Sequence, residues 1–61
     1  MFEVENHGTI VLIRPLTDDV ETWLRDNVDS EAQWFGRALA CEPRCCQPLI
    51  EAMCEEGFVI Q

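Results

Sequence analysis

An α+β domain of two layers, with a four-stranded sheet carrying two helices on one face in the order ββαβαβ, is what this sequence predicts over residues 1–61 as a single compact unit. Three patterns point there. Phe2-Glu3-Val4-Glu5 alternates apolar and acidic residues, and Thr9-Ile10-Val11-Leu12-Ile13 is a β-branched run, as strands require. Residues 18–28 and 48–56 repeat apolar residues at spacings of three and four, the helical period. A short chain that interleaves such segments buries their apolar sides most economically with both helices on one side of the sheet.

The first two strands flank Asn6-His7-Gly8, a three-residue loop whose last position suits the left-handed backbone that glycine adopts cheaply. In that register Glu5 faces Thr9. Phe2, Val4, Ile10 and Leu12 then share one face, and Glu3, Glu5, Val11 and Ile13 the other. Arg14-Pro15-Leu16 ends the second strand, and Thr17 reads as an N-cap. Asp18, Asp19 and Glu21 follow it, where the positive end of a helix dipole favours carboxylates. The helix over 18–28 sets Val20, Trp23, Leu24, Asn27 and Val28 toward the core, with Asp18, Thr22, Arg25, Asp26 and Asp29 toward solvent.

Asp29-Ser30-Glu31 is a polar break. Residues 32–36 read as a turn whose two aromatics cover the core edge, and 37–41 as a short third strand. Pro43 suits a first helical turn, whereas Pro48 cannot sit deep in a helix without removing a backbone bond. The regular helix is therefore expected over 48–56, with 43–47 as an irregular lead-in. Its stripe is Leu49, Ile50, Met53 and Cys54, and Gly57 is suited to terminate it. Residues 58–60 complete the sheet as a terminal strand. On this layout Val11, Ile13 and Val59 form an apolar strip on the uncovered face, rimmed by Glu3 and Glu5, and such patches mark interfaces. They are the candidate surface for a homodimer.

Twelve carboxylates stand against four arginines and no lysine, giving a formal charge of −8. With 48% hydrophobic residues the acids belong to a folded surface rather than to a disordered tail. Such charge disfavours direct contact with nucleic acid or anionic membrane. A basic protein or nucleoprotein complex is the partner it suits. No apolar run approaches the roughly 20 residues of a membrane span, and the first residues lack a signal-peptide pattern, so a cytoplasmic location is expected. In that compartment Cys41, Cys45, Cys46 and Cys54 are expected as free, mainly core thiols.

No reaction is legible. The cysteine spacing C-x₃-C-C-x₇-C is not a paired zinc knuckle, and His7 stands in a loop with no nucleophile near it in sequence. Asp26, Asp29 and Glu31 lack the central glycine of a calcium loop, and no glycine-rich phosphate loop occurs. The chain is expected to be no enzyme, with no metal and no cofactor. The carboxylate array remains: Glu3, Glu5, Asp18, Glu21, Asp26 and Asp29 are the candidate partner-binding residues. Eight residues separate Asp18 from Asp26, about 12 Å of helical rise. Acids held at such intervals can occupy a Lys/Arg-lined nucleic-acid channel, gaining the steering that phosphates have.

The segments Val4-Glu5-Asn6-His7-Gly8-Thr9-Ile10, Leu12-Ile13-Arg14-Pro15-Leu16-Thr17, Gln33-Trp34-Phe35-Gly36 with Ala38-Leu39, and Glu42-Pro43-Arg44 resemble landmarks of short uncharacterised proteins of bacterial genomes and their phages. Cys45-Cys46 and Pro48 depart from that pattern at the second helix. In size, acidity and compactness the chain is also similar, as a class, to phage anti-CRISPR proteins. The resemblance implies an inhibitor that binds a CRISPR effector complex at the basic surface meant for DNA.

Overall fold

The Asn6 side chain sets the first hairpin: its Oδ1 accepts from the Gly8 backbone N–H at 2.8 Å, and the His7 N–H reaches the Ile10 carbonyl at 2.8 Å. The computed structural model describes residues 1–28 and 32–61. Strand β1 (Phe2–Asn6) pairs antiparallel with β2 (Val11–Pro15), with Asn6 opposite Val11 and Val4 opposite Ile13. The loop is thus His7 to Ile10, with Gly8 at φ 85°. Against the expected Glu5–Thr9 pairing the register moves by an odd number of residues, which turns β2 over relative to β1. Val11 and Ile13, expected on the open face, therefore lie in the core at 5% and 0% exposure. Leu12 and Arg14 take their place beside Glu3 and Glu5.

Helix α1 (Asp18–Asn27) forms where the heptad-like spacing places it. Thr17 has the extended backbone of an N-cap, but its hydroxyl donates to the Asp19 carboxylate instead of accepting from the helix. Val20 and Leu24 are fully buried, while Asp18, Thr22, Arg25 and Asp26 are exposed. Residues expected as an aromatic turn form strand β3 (Gln33–Phe35), a hairpin partner of β4 (Ala38–Cys41). Gly36 has φ 61° and no non-glycine residue among the described residues has positive φ, so Gly36-Arg37 is a type II′ turn, whose twist suits a two-residue hairpin.

The sheet order is β1-β2-β4-β3, all neighbours antiparallel. The element order is accordingly ββαββα rather than ββαβαβ. The expected terminal strand is reduced to one parallel bridge: the Phe2 N–H donates to the Val59 carbonyl and the Gln61 N–H to that of Phe2. One residue's worth of pairing does not make a strand, and Val59 stays 56% exposed.

Helix α2 (Pro43–Glu55) is continuous through Pro48. The lead-in expected over 43–47 is helical because Pro43 opens the first turn and the Glu42 backbone carbonyl accepts from both the Cys45 and Cys46 N–H. The helix ends in a Schellman motif, with Gly57 at φ 96°, Phe58 N–H on the Met53 carbonyl and Gly57 N–H on that of Cys54. The longer helix adds Cys46 to the buried side. Cys46 and Met53 face the core, Leu49 and Ile50 are half-buried, and Cys54, expected on the stripe, is exposed.

The core joins Phe2, Val11, Ile13 and Leu39 of the sheet with Val20 and Leu24 of α1 and Cys46 and Met53 of α2. Both helices thus cover one sheet face. The other face is left open. No helix among the described residues is long and apolar enough to cross a membrane.

Candidate binding surface

The open face is built in two rows by the strand registers. Glu5, Leu12, Ala40 and Gln33 follow one another across the sheet in one row. Glu3, Arg14, Ala38 and Phe35 form the next. On the β1 and β2 side the charges pair: the Arg14 guanidinium donates to Glu5 at 2.5 and 3.3 Å and lies 3.7 Å from Glu3. His7 Nε2 is 3.3 Å from Glu5. Arg14 first and His7 second hold the Glu5 carboxyl below the usual glutamate range, and Glu5 raises Arg14 in return. On the β4 and β3 side the face is uncharged, with Ala40 and Phe35 apolar and Gln33 polar and exposed. His7, Ile10, Leu12 and Phe35 line a shallow hollow of about 280 Å³, and Phe35 is 62% exposed.

The remaining arginines are also held by carboxylates of their own chain. Arg37, in the β3–β4 turn, donates to Glu21 at 2.6 Å and Asp18 at 2.9 Å. Arg25 reaches Glu21 one turn earlier at 3.1 Å and stacks 4.2 Å above the Trp34 ring. Arg44 meets Glu42 at 3.2 Å. Arg37 and then Arg25 push the Glu21 carboxyl down, and Glu21 raises Arg37. Each of the four arginines is thereby paired with a carboxylate.

The helical layer carries the uncompensated charge. Asp19 and Asp26 sit four residues before and three after Trp23, on one side of α1, and Trp23 Nε1 donates to Glu56 at 3.0 Å. Phe58 stacks edge-on against the same indole, with centroids 5.9 Å apart. These two contacts tie the end of α2 to α1 at Trp23, while Asp19 and Asp26 of α1 and Glu51, Glu55 and Glu56 at the end of α2 are all exposed. Asp19 is held in its charged form by the Thr17 hydroxyl, which lowers its pKa. No basic side chain lies in the last turn of α2.

Of the six carboxylates selected from sequence, Glu3 and Glu5 therefore lie in the Arg14 network, Asp18 and Glu21 in the Arg37 network, and Asp26 is exposed without an ion-pair partner among the described residues. Asp29 lies outside the described residues. Sequence reasoning missed Phe35 and Leu12 as surface residues of the open face, and it counted Glu51, Glu55 and Glu56 among the outward acids without selecting them for binding. The Gly-X step at Gly36-Arg37 between two apolar runs was a hairpin signal that places Phe35 at a strand end.

The four thiols are free, Cys46 buried, Cys41 half-buried, Cys45 and Cys54 exposed. Burial, with Cys46 beside it, pushes the Cys41 thiol up to about 12, and its S–H donates to the Val11 carbonyl at 3.8 Å. Cys45 with Ile10, Val28, Leu39, Cys41 and Leu49 lines a groove of about 810 Å³ between the sheet end and the start of α2. Among the described residues no three His, Cys, Asp or Glu side chains converge as a metal site. No protein-family model, curated protein or solved structure matches the chain.

Proposed function

We propose that this chain is a small non-enzymatic inhibitor that docks its acidic helical layer on a Lys/Arg-rich, nucleic-acid-binding surface of a larger complex, needing no cofactor. The observation that supports it most is the division of charge. All four arginines are engaged within the chain, whereas Asp19, Asp26, Glu51, Glu55 and Glu56 stand without a cation among the described residues. Carboxylates fixed on two helices present their charge without first ordering a chain, which favours fast, steered association. Asp18, whose side chain is 99% exposed, extends the surface despite its contact with Arg37. Glu3, Glu5 and Glu21 contribute less, because arginine already neutralises them. A host defence complex of the CRISPR effector type is the partner that the class likeness adds.

The test is capture of the partner on immobilised chain, followed by release with salt and with duplex DNA. Release by both is expected, as is loss of capture in the combined Asp26→Lys, Glu51→Lys and Glu55→Lys variant with unchanged circular dichroism. Capture that survives those reversals and ignores DNA contradicts the reading.

A further inference from the structure

The open face of the sheet differs from the rest of the molecule in charge. Glu3 and Glu5 oppose Arg14 there, so the described part of this face keeps one of the chain's eight net negative charges. The other half of the face carries no charge: Leu12, Ala40 and Phe35 are apolar, Gln33 is polar and exposed beside Ala40, and Ile10 lies at the rim. A basic partner finds little to bind on such a surface. For a second copy of this chain the balance is reversed: two bodies of charge −8 repel wherever their helices approach, and they meet with least repulsion where charge is already compensated.

We propose that two copies pair through this face about a two-fold axis, the Phe35 ring of each seating on the Ile10 and Leu12 hollow of the other. The arrangement is self-complementary, as a two-fold contact requires, because the same face supplies both the projecting ring and the hollow. It buries the most exposed aromatic side chain of the chain, Phe35 at 62%, together with Ile10 at 38%. It also adds buried apolar area to a domain whose length limits its own core. The helical acids remain outward, so the pair presents two acidic layers on opposite sides. This contact is independent of the inhibitor reading and responds to salt in the opposite sense: screening strengthens the pairing and weakens the docking of acids on a basic surface.

Sedimentation equilibrium of the full chain tests it, from micromolar to millimolar concentration at low and high salt. A reductant is present because Cys45 and Cys54 are exposed thiols. The expected result is a monomer–dimer equilibrium that tightens severalfold as salt rises. Phe35→Ser should weaken it about tenfold or more, the loss typical of an anchoring side chain, and Thr22→Ser, at an uncharged exposed position on the helical layer, should leave it unchanged. Should Phe35→Ser alter the circular dichroism, Ile10→Ser decides, with the same weakening expected. A chain that stays monomeric at both salts, as it would if a different protein covers this face, overturns the proposal. So does a dimer that both variants leave intact.

Discussion

The Asn6 carboxamide, by accepting from the Gly8 N–H, fixes the β1–β2 register and with it the side of β2 that packs beneath the helices. Val11 and Ile13 look like surface residues when Glu5 is set against Thr9, and they become core once Asn6 uses its side chain to hold Gly8 and moves the loop to His7–Ile10. A side-chain hydrogen bond within a turn leaves no trace in hydrophobic periodicity. Arg14 was the available clue, since only the observed face sets it beside two glutamates. Ile13→Ala should consequently cost about 2–5 kcal/mol in denaturant unfolding. Phe35→Ser, at an exposed site, should change monomer stability by less than about 0.5 kcal/mol. The titrating groups add a pH signature. Glu5 and Glu21 have folded pKa values below the ordinary 4.5, so their contribution is complete above that pH and lost as the pH falls through the depressed values. Glu21→Gln should flatten the acid limb of the stability profile. At the alkaline end the sign differs. The unfolded Cys41 thiol ionises near 9.0 and the folded one at about 12, so stability declines as the pH rises across that window. Cys41→Ala should remove part of that decline.

Elements were legible where periodicity and end signals agreed. The ten residues of α1 carry a full apolar side and an acidic first turn, and they were placed to within a residue. Strand β3 has three residues, too few for alternation to register, and it exists because the Gly36-Arg37 turn folds it onto β4. The tail has strand-forming residues but meets β1 only at its first residue, where Phe2 bridges Ile60. Pairing, not propensity, decided it. In α2 the sequence penalty of Pro48 was read correctly as a lost bond and wrongly as a boundary. Packing of Cys46 and Met53 on the sheet outweighs it. Pro48→Ala should therefore stabilise the domain by about 1–3 kcal/mol, measured by chemical denaturation. Gly57→Ala, which forces a Cβ into the left-handed C′ position, should cost about 1 kcal/mol.

At the scale of the molecule, the acidity visible in the sequence resolves into two surfaces. One is the helical layer, where Asp19, Asp26, Glu51, Glu55 and Glu56 are exposed without an ion-pair partner among the described residues. The other is the open sheet face, apolar at Phe35 and Leu12 and internally neutralised at Arg14. Composition alone cannot separate them, because it counts Glu5 and Asp26 alike although one lies 2.5 Å from a guanidinium and the other is exposed on α1. The most direct measurement of where basic groups bind is a titration of the isotope-labelled chain with a short Lys/Arg-rich peptide, followed by backbone amide shifts. The account predicts shifts concentrated over residues 19–26 and 51–56, diminishing as salt is added. Shifts centred instead on Glu3, Glu5 and the β1–β2 hairpin would contradict it.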